Sequence, residues 1–452
     1  MTGAGEINGF IIKYLTQTQP EGDVLVGTSM RLNVHDFSGH PFQVQLSRQL
    51  AARGHSVLHE YSTQYVTGHG NLTVDPGDPG TLRIEGVQAA QPILKYDPIG
   101  RMRFERSYAQ AWQQRLDGEH FDAIVVCNVP LFTLATMRRY FARKRQPWVF
   151  WHQDIYSLGV SAEIDRKLPS PVGAPLRRWV DGLERKQVRS ARRVVAIGDE
   201  FVRQYRRWKL PTEHVDVIPN WAPLDDLVPG ERDNAWAREQ QLPTNSVRLL
   251  YAGTLGRKHN PLLLLEVLDA ARARGVDASL VVCSEGVGAD AVAAAAGDRP
   301  DVRVLGYQPA SRFAEVLASA DAMIALLEPD AAAFSVPSKV LSYLSAGRPT
   351  IALVPEGNPA ATDVRSAGGF VDAPTESGAR NAADWLARTT ASDSGALTLL
   401  GKRARALAEL KFDIDTIADR FEGILGAAVG MPGIRTWPAT SFDGSTAEEC
   451  VA

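Results

Sequence analysis

A chain of 452 residues is longer than one hydrophobic core can hold, so two domains with extras are expected. With 44% apolar and 22% charged residues its composition is that of an ordinary globular protein, and a formal net charge of −3 gives no global case for nucleic-acid binding. Three cysteines, Cys127, Cys283 and Cys450, lie far apart, two of them in apolar strand-like runs, which favours buried thiols in a reducing compartment over disulfides or metal ligands.

The opening MTGAGEINGFIIKYL lacks a basic segment followed by a long apolar run, so no signal peptide is expected. No window approaches ~18 uninterrupted apolar residues. The longest, Ala123 to Met137, is broken by Asn128 and Pro130. The expectation is a cytoplasmic protein that at most rests on a membrane surface.

In chain order, Asp23 to Gly27 reads as a strand, followed by a long polar loop to Ser38-Gly39. Pro41 to Arg53 has helical spacing and stops at Gly54, and Ser56 to Tyr61 is the next strand. Strand, glycine loop, helix and strand form the opening unit of a doubly wound α/β domain. Residues 64–100, rich in Gly, Pro and Asp, read as an excursion. A helix over Glu105 to Leu116 leads to a strand at Phe121 to Cys127, and Trp148 to Trp151 is another, ending in His152-Gln153-Asp154. Open α/β sheets place ligands just past the carboxyl ends of strands, so His152 has two readings, a ligand contact and a satisfied structural histidine. From Arg138 to Lys209 eighteen Lys or Arg face seven Asp or Glu, interleaved with Trp and Leu; a surface for anionic headgroups and a solvated helix face both fit. Strands at Arg193 to Ile197 and Val215 to Pro219 close the first domain, and Trp221 to Asn234 is the linker candidate.

The pattern then restarts. Val247 to Tyr251 is a strand, Gly253 to His259 a loop, and Asn260-Pro261 opens a helix. Strands follow at Ser279 to Cys283, Val302 to Leu305 and Ala322 to Leu326, with the loop Ser284-Glu285-Gly286 after the first and a helix over Ser311 to Ser319. After the loop Glu328 to Pro337, Ser338 can cap a helix carrying Val340, Leu341 and Leu344, stopped by Gly347 before a strand at Thr350 to Val354. A Pro-Ser-Lys helix start combines unpaired N–H groups, a hydroxyl and an ammonium, a combination suited to a diphosphate. An ordinary capped helix is the competing reading. A last helix near Ala404 to Ile424 ends at Gly430, and the tail beyond reads as disordered.

Seven ordered landmarks, SGHPFQVQLSRQLAARGHSV, WHQDIYS, VVAIGDEFV, VDVIPNW, LLYAGTLGRKHNPLLLLEVL, VRVLGYQPASRFAEVLASADAMIALL and VPSKVLSYLSAGRPTIA, give the chain its resemblance to the retaining GT-B glycosyltransferases of family 4, over roughly residues 23–425. Within that family it resembles the branch that builds bacterial envelope polysaccharides. The resemblance implies an α/β architecture of two facing doubly wound, Rossmann-like domains. Domain boundaries follow as 1–222 on the acceptor side, 223–405 for the nucleotide sugar, 406–430 crossing back to the first domain and 431–452 as a flexible tail. It also implies that Gly253, Thr254, Lys258, Glu285, Gly286, Ser338, Lys339 and Ser342 bind the donor, with Lys258 and Lys339 as cations on its diphosphate. Ser38, Gly39 and His40 belong to the acceptor side. His152 would contact the transferred sugar and Asp154 an acceptor hydroxyl. No metal site and no cofactor are expected. The partners are a nucleotide-sugar donor, UDP-type, and a sugar or lipid-linked acceptor, with peripheral contact to an anionic membrane.

Two departures from the family pattern stand out. A pair of glutamates eight positions apart is replaced by Phe334 and Ser342, and the arginine of the glycine loop by Thr254, for which Lys339 compensates as second cation. Two alternatives accompany the transferase reading. A sugar-nucleotide epimerase needs carboxylates beside the sugar, and the missing glutamates oppose it. A non-catalytic nucleotide-sugar-binding homologue draws its support from the same departures.

Overall fold

The structure is a computed structural model that describes residues 29–65, 70–93, 97–222, 224–256, 259–329, 339–392 and 395–431. The expected strand Asp23 to Gly27, the residues Lys258, Phe334 and Ser338, the thiol Cys450 and the tail from 432 lie outside them. Two compact units result: 29–220 with 414–431, and 221–413.

The first unit runs β1 (Arg31–Asp36), α1 (Pro41–Ala52), β2 (Ser56–Ser62), β3 (Leu82–Val87), α2 (Pro98–Asp117), β4 (Ala123–Cys127), α3 (Leu131–Lys144), β5 (Trp148–His152), α4 (Tyr156–Lys167), α5 (Ser170–Ser190), β6 (Arg193–Ala196), α6 (Asp199–Arg207) and β7 (Val215–Val217). Its seven strands pair in parallel in the order β3-β2-β1-β4-β5-β6-β7. Parallel strands are covered by helices on their faces, and β4 and β5 accordingly are buried from end to end. The core is aromatic, with Phe104, Tyr108, Trp112, Phe141, Trp148 and Phe150 packed together.

The second unit runs α7 (Ala235–Glu239), β8 (Val247–Ala252), α8 (Leu263–Ala273), β9 (Ala278–Cys283), α9 (Val287–Ala296), β10 (Val302–Leu305), α10 (Phe313–Ala318), β11 (Ala322–Leu326), α11 (Lys339–Ser345), β12 (Thr350–Leu353), α12 (Pro359–Ser366), β13 (Phe370–Asp372), α13 (Glu376–Ser392) and α14 (Ala396–Lys411). Six parallel strands in the order β10-β9-β8-β11-β12-β13 enclose a core of small and aliphatic side chains. Local chemistry sets the helix ends. Asn234 and Asn358 cap α7 and α12 through their side-chain oxygens, and Gly347, at φ 64°, supplies the left-handed residue after α11.

Several expectations need correction. Residues 31–36, expected within a polar loop, form the central strand β1. Its polar face is buried: Asn33 donates to Glu60 at 2.9 Å, and the His35 ring stacks on Trp112 at 3.6 Å. The excursion 64–100 contains strand β3 and the first turn of α2. The linker candidate is packed, with Trp221 and Leu227 buried and Arg405 donating to the Leu224 and Leu227 carbonyls. The expected last helix is two, α14 and α15 (Ile414–Val429), separated at Phe412-Asp413.

Helix α15 belongs to the first unit, where Phe421 is fully buried and meets Trp151 edge-on at 4.8 Å. Arg53 pairs with Asp419 and Glu422, and Arg420 donates to the Val217 carbonyl at 2.7 Å. Phe421→Ala should cost about 3–5 kcal/mol, because it opens a cavity. Arg53→Ala, which removes partly exposed ion pairs, should cost about 1 kcal/mol or less. Urea unfolding followed by tryptophan fluorescence measures both, and equal losses would contradict the ranking.

Candidate functional site

In each unit the strand order reverses once, between β1 and β4 in the first and between β8 and β11 in the second. Helices leaving the two central strands diverge to opposite faces there, which opens a crevice at the carboxyl edge of the sheet. Most of the site residues expected from the sequence lie on these two edges.

In the first unit, Asp36 ends β1 and is fully buried. Its carboxylate accepts from the backbone N–H groups of Ser38 (3.3 Å) and His40 (2.5 Å) and from the Asn128 amide (2.7 Å), while its carbonyl accepts from the Gly39 N–H. Burial nevertheless dominates these donors and pushes its pKa up to about 6. Asn128, at φ 54°, ends β4. Asp154 lies exposed past β5, and the charges of Asp36 and Asp154 add to burial in raising the Cys127 thiol. Ser38, Gly39 and His40 are thus brought together around a carboxylate that the sequence reading passed over. The available signal was an acid two residues before a Ser-Gly turn.

His152 is placed differently. Its Nδ1 is 2.6 Å from the Tyr205 hydroxyl and its Nε2 3.2 Å from Glu184, so both ring nitrogens are engaged inside the fold. The ring is 1% exposed and stacked on Phe150 at 4.4 Å. Glu184 also accepts from the N–H groups of Tyr156 and Ser157, which ties His152 to the start of α4. Of the two readings, this is the geometry of a satisfied structural histidine, and Asp154, two residues on, is the group that faces solvent.

In the second unit, the loop after β8 is built on Gly253, at φ 122°, a backbone conformation that favours glycine. Lys339, the first residue of α11, sends its ammonium over the Tyr251 ring, 4.0 Å from the centroid. The ammonium donates to the Tyr251 hydroxyl and to the Thr254 carbonyl (3.3 Å), and that hydroxyl donates to the same carbonyl at 2.7 Å. Tyr343 closes a double hydrogen bond with Ala252 and fixes the end of β8. Glu285 accepts from the Tyr307 N–H at 3.0 Å, and the Tyr307 hydroxyl reaches Thr254 Oγ1 at 3.3 Å. Thr254, Glu285 and Lys339 therefore belong to one cluster, linked by Tyr251 and Tyr307, which the sequence reading did not single out.

Gly286 precedes α9, whose first turn packs so closely on the loop that a Cβ on Gly288 would sit 2.0 Å from the Leu255 carbonyl. Beneath it, the buried Ser284 hydroxyl has no hydrogen-bond partner among the described residues. Ser342, half-buried, lies one turn along α11 on the face of Lys339. Among the described residues no carboxylate pairs with Lys339, and desolvation lowers its pKa to about 7. Such a group is an ammonium that a bound anion would hold in its charged form.

A family model described as a glycosyl transferase 4-like domain matches residues 40–221, and one described as glycosyl transferases group 1 matches residues 246–387. Among solved structures, the fold is similar to sucrose-phosphate synthase from Thermosynechococcus elongatus (17% identity, TM-score 0.62, covering 87% of this chain and 97% of that one). It is also similar to HepE of Anabaena solved with UDP and glucose (16%, TM-score 0.60, 88% and 99%) and to a glycosyltransferase from Rickettsia africae (12%, TM-score 0.63, 89% and 100%). No curated protein sequence matches the chain.

Lys339 sets a pH test. Its pKa in the folded chain is below that of a free lysine, so the empty site loses its positive charge as pH rises through about 7. Pyrophosphate affinity should therefore fall on going from pH 6 to 8.5, and binding near pH 7 should take up a proton. Lys339→Arg, charged throughout, should flatten the Lys339 contribution. Isothermal titration in buffers of different ionisation enthalpy measures the proton uptake; equal uptake in both proteins would remove Lys339 as its source.

Proposed function

The chain is a GT-B glycosyltransferase, and on that premise we propose that it moves a hexose or N-acetylhexosamine, with retention, from a UDP-linked donor to a glycan, glycolipid or other small acceptor. The observation that carries the donor half is the half-buried Lys339 ammonium on the glycine loop at the strand-order reversal of the second unit. HepE, solved with UDP and with UDP-glucose, supports the choice of nucleotide.

As the glycosidic bond breaks, negative charge grows on the leaving diphosphate. An ammonium already held by Tyr251 and Thr254 stabilises that charge without first having to be ordered. Lys258 is assigned as its companion, and Thr254, Glu285, Gly286, Ser338 and Ser342 as the remaining donor contacts. With these cations the reaction is proposed to run without a bound metal or cofactor. Retention follows a same-face attack assisted by the leaving phosphate, in which Asp154 orients the acceptor hydroxyl and the Asp36-buttressed turn Ser38-Gly39-His40 shapes the acceptor side. His152 is assigned to holding the start of α4, through Glu184, rather than to the sugar.

A membrane-linked acceptor is proposed to reach the first unit over α4 and α5. These helices expose Val160, Val172, Leu176 and Trp179 among arginines, an amphipathic surface suited to anionic lipid. Among the described residues no helix is long and apolar enough to cross a membrane. A place in envelope polysaccharide assembly fits this reading.

The test is UDP release from a panel of UDP-sugars mixed with glycolipid acceptors, with and without chelator. Release that is insensitive to chelator and lowered by about 10²–10³-fold in Lys339→Ala is expected. Full activity in that variant would overturn the diphosphate assignment, and absence of release from every donor would overturn the transferase reading of this chain.

A further inference from the structure

On the first unit, the edge opposite the proposed site, where the strands begin, carries a cavity of about 360 Å³. It lies between the end of α3, the end of α5 and the starts of β5 and β6, and Arg138, Arg145 and Arg192 line it over a floor formed by Phe141 and Trp148. The two rings are almost fully buried, with centroids 5.6 Å apart, so the floor is rigid and apolar. No acidic residue lines the cavity.

The carboxylates on this edge are already engaged. Asp117 pairs with Lys144 at 2.7 Å and accepts from Tyr140, Glu119 pairs with Arg31 and Arg83, Asp122 accepts from the Arg31 N–H, and Asp216 pairs with Arg193 at 2.7 Å. Among the described residues, the side chains of Arg138, Arg145 and Arg192 take part in no ion pair or hydrogen bond. Arg145 adds a second observation: it ends α3 at φ 53°, a left-handed cap where glycine is favoured. A chain of net charge −3 thus gathers three unpaired guanidinium groups around one concavity, one of them at a backbone position that disfavours a side chain. Guanidinium forks match the paired oxygens of a phosphoryl group.

We propose that this cavity is a second anion site, distinct from the donor site, which binds a phosphoryl group presented by a lipid headgroup or by a soluble phosphate. The strands separate it from the carboxyl edge by about 16 Å, five residues at ~3.3 Å each, so occupancy is compatible with turnover.

Isothermal titration of the full chain with inorganic pyrophosphate tests it. Two classes of site are expected, one lost in Lys339→Ala and the other in Arg138→Gln/Arg192→Gln, with weakening on the order of tenfold for each guanidinium removed. Arg145→Gly removes a cation at a position whose backbone suits glycine, so it should keep the fold and still weaken binding. Arg143→Gln, the same single charge change as Arg145→Gly but outside the cavity, should leave both classes intact. An unchanged titration in Arg138→Gln/Arg192→Gln, or an equal loss in Arg143→Gln, overturns the proposal. Co-sedimentation with phosphatidylcholine vesicles containing phosphatidylglycerol separates the sources. Binding lost together with the pyrophosphate class identifies a headgroup, and pyrophosphate binding without vesicle binding identifies a soluble phosphate.

Discussion

Parallel pairing is the constraint on which the rest depends. Strands that all run one way deliver every carboxyl end to the same edge, and each sheet here reverses its order once, which opens a crevice at that point. The side chains at those edges are polar because the chain must leave the sheet there. Asp36, Asn128 and Asp154 sit at the ends of β1, β4 and β5 for that reason; Gly253, Thr254 and the loop 284–286 sit at the ends of β8 and β9. The amino edge obeys the same geometry in reverse: helices end there, and the cations gathered near their ends include the three left without carboxylates.

Much of this order was legible in the sequence, and the exceptions have physical causes. In the second unit strands β8 to β12 followed expectation closely, because they are apolar runs, whereas α7, α9, α12, β13 and α13 were not anticipated. Strand β1 was misread because Asn33, His35 and Asp36 look like loop residues. Each is buried with partners from distant segments, such as Glu60 and Asn128, that local pattern does not contain. The last helix was drawn too long because apolar spacing continues across Phe412-Asp413, where the chain turns from one unit to the other.

His152 shows the same limit within a site. Position past a strand end placed it at the carboxyl edge of the sheet, yet both its ring nitrogens are engaged by Tyr205 and Glu184, 53 and 32 residues away in sequence. Lys339 is the opposite case: the Pro-Ser-Lys turn announced a cation, and the structure adds that Tyr251 and the Thr254 carbonyl hold it. What the sequence could not convey was its dehydration, which comes from burial against Tyr251 and the glycine loop.

That dehydration reaches beyond affinity. A lysine whose burial brings its pKa down to about 7 is only partly charged at neutral pH, so an anion bound beside it would complete the protonation and its departure would reverse it. The cycle would carry a proton traffic of its own, separate from the bonds made and broken on the sugar. The pH of the medium would then share with the concentration of an anionic ligand the control of how fully such a site is occupied.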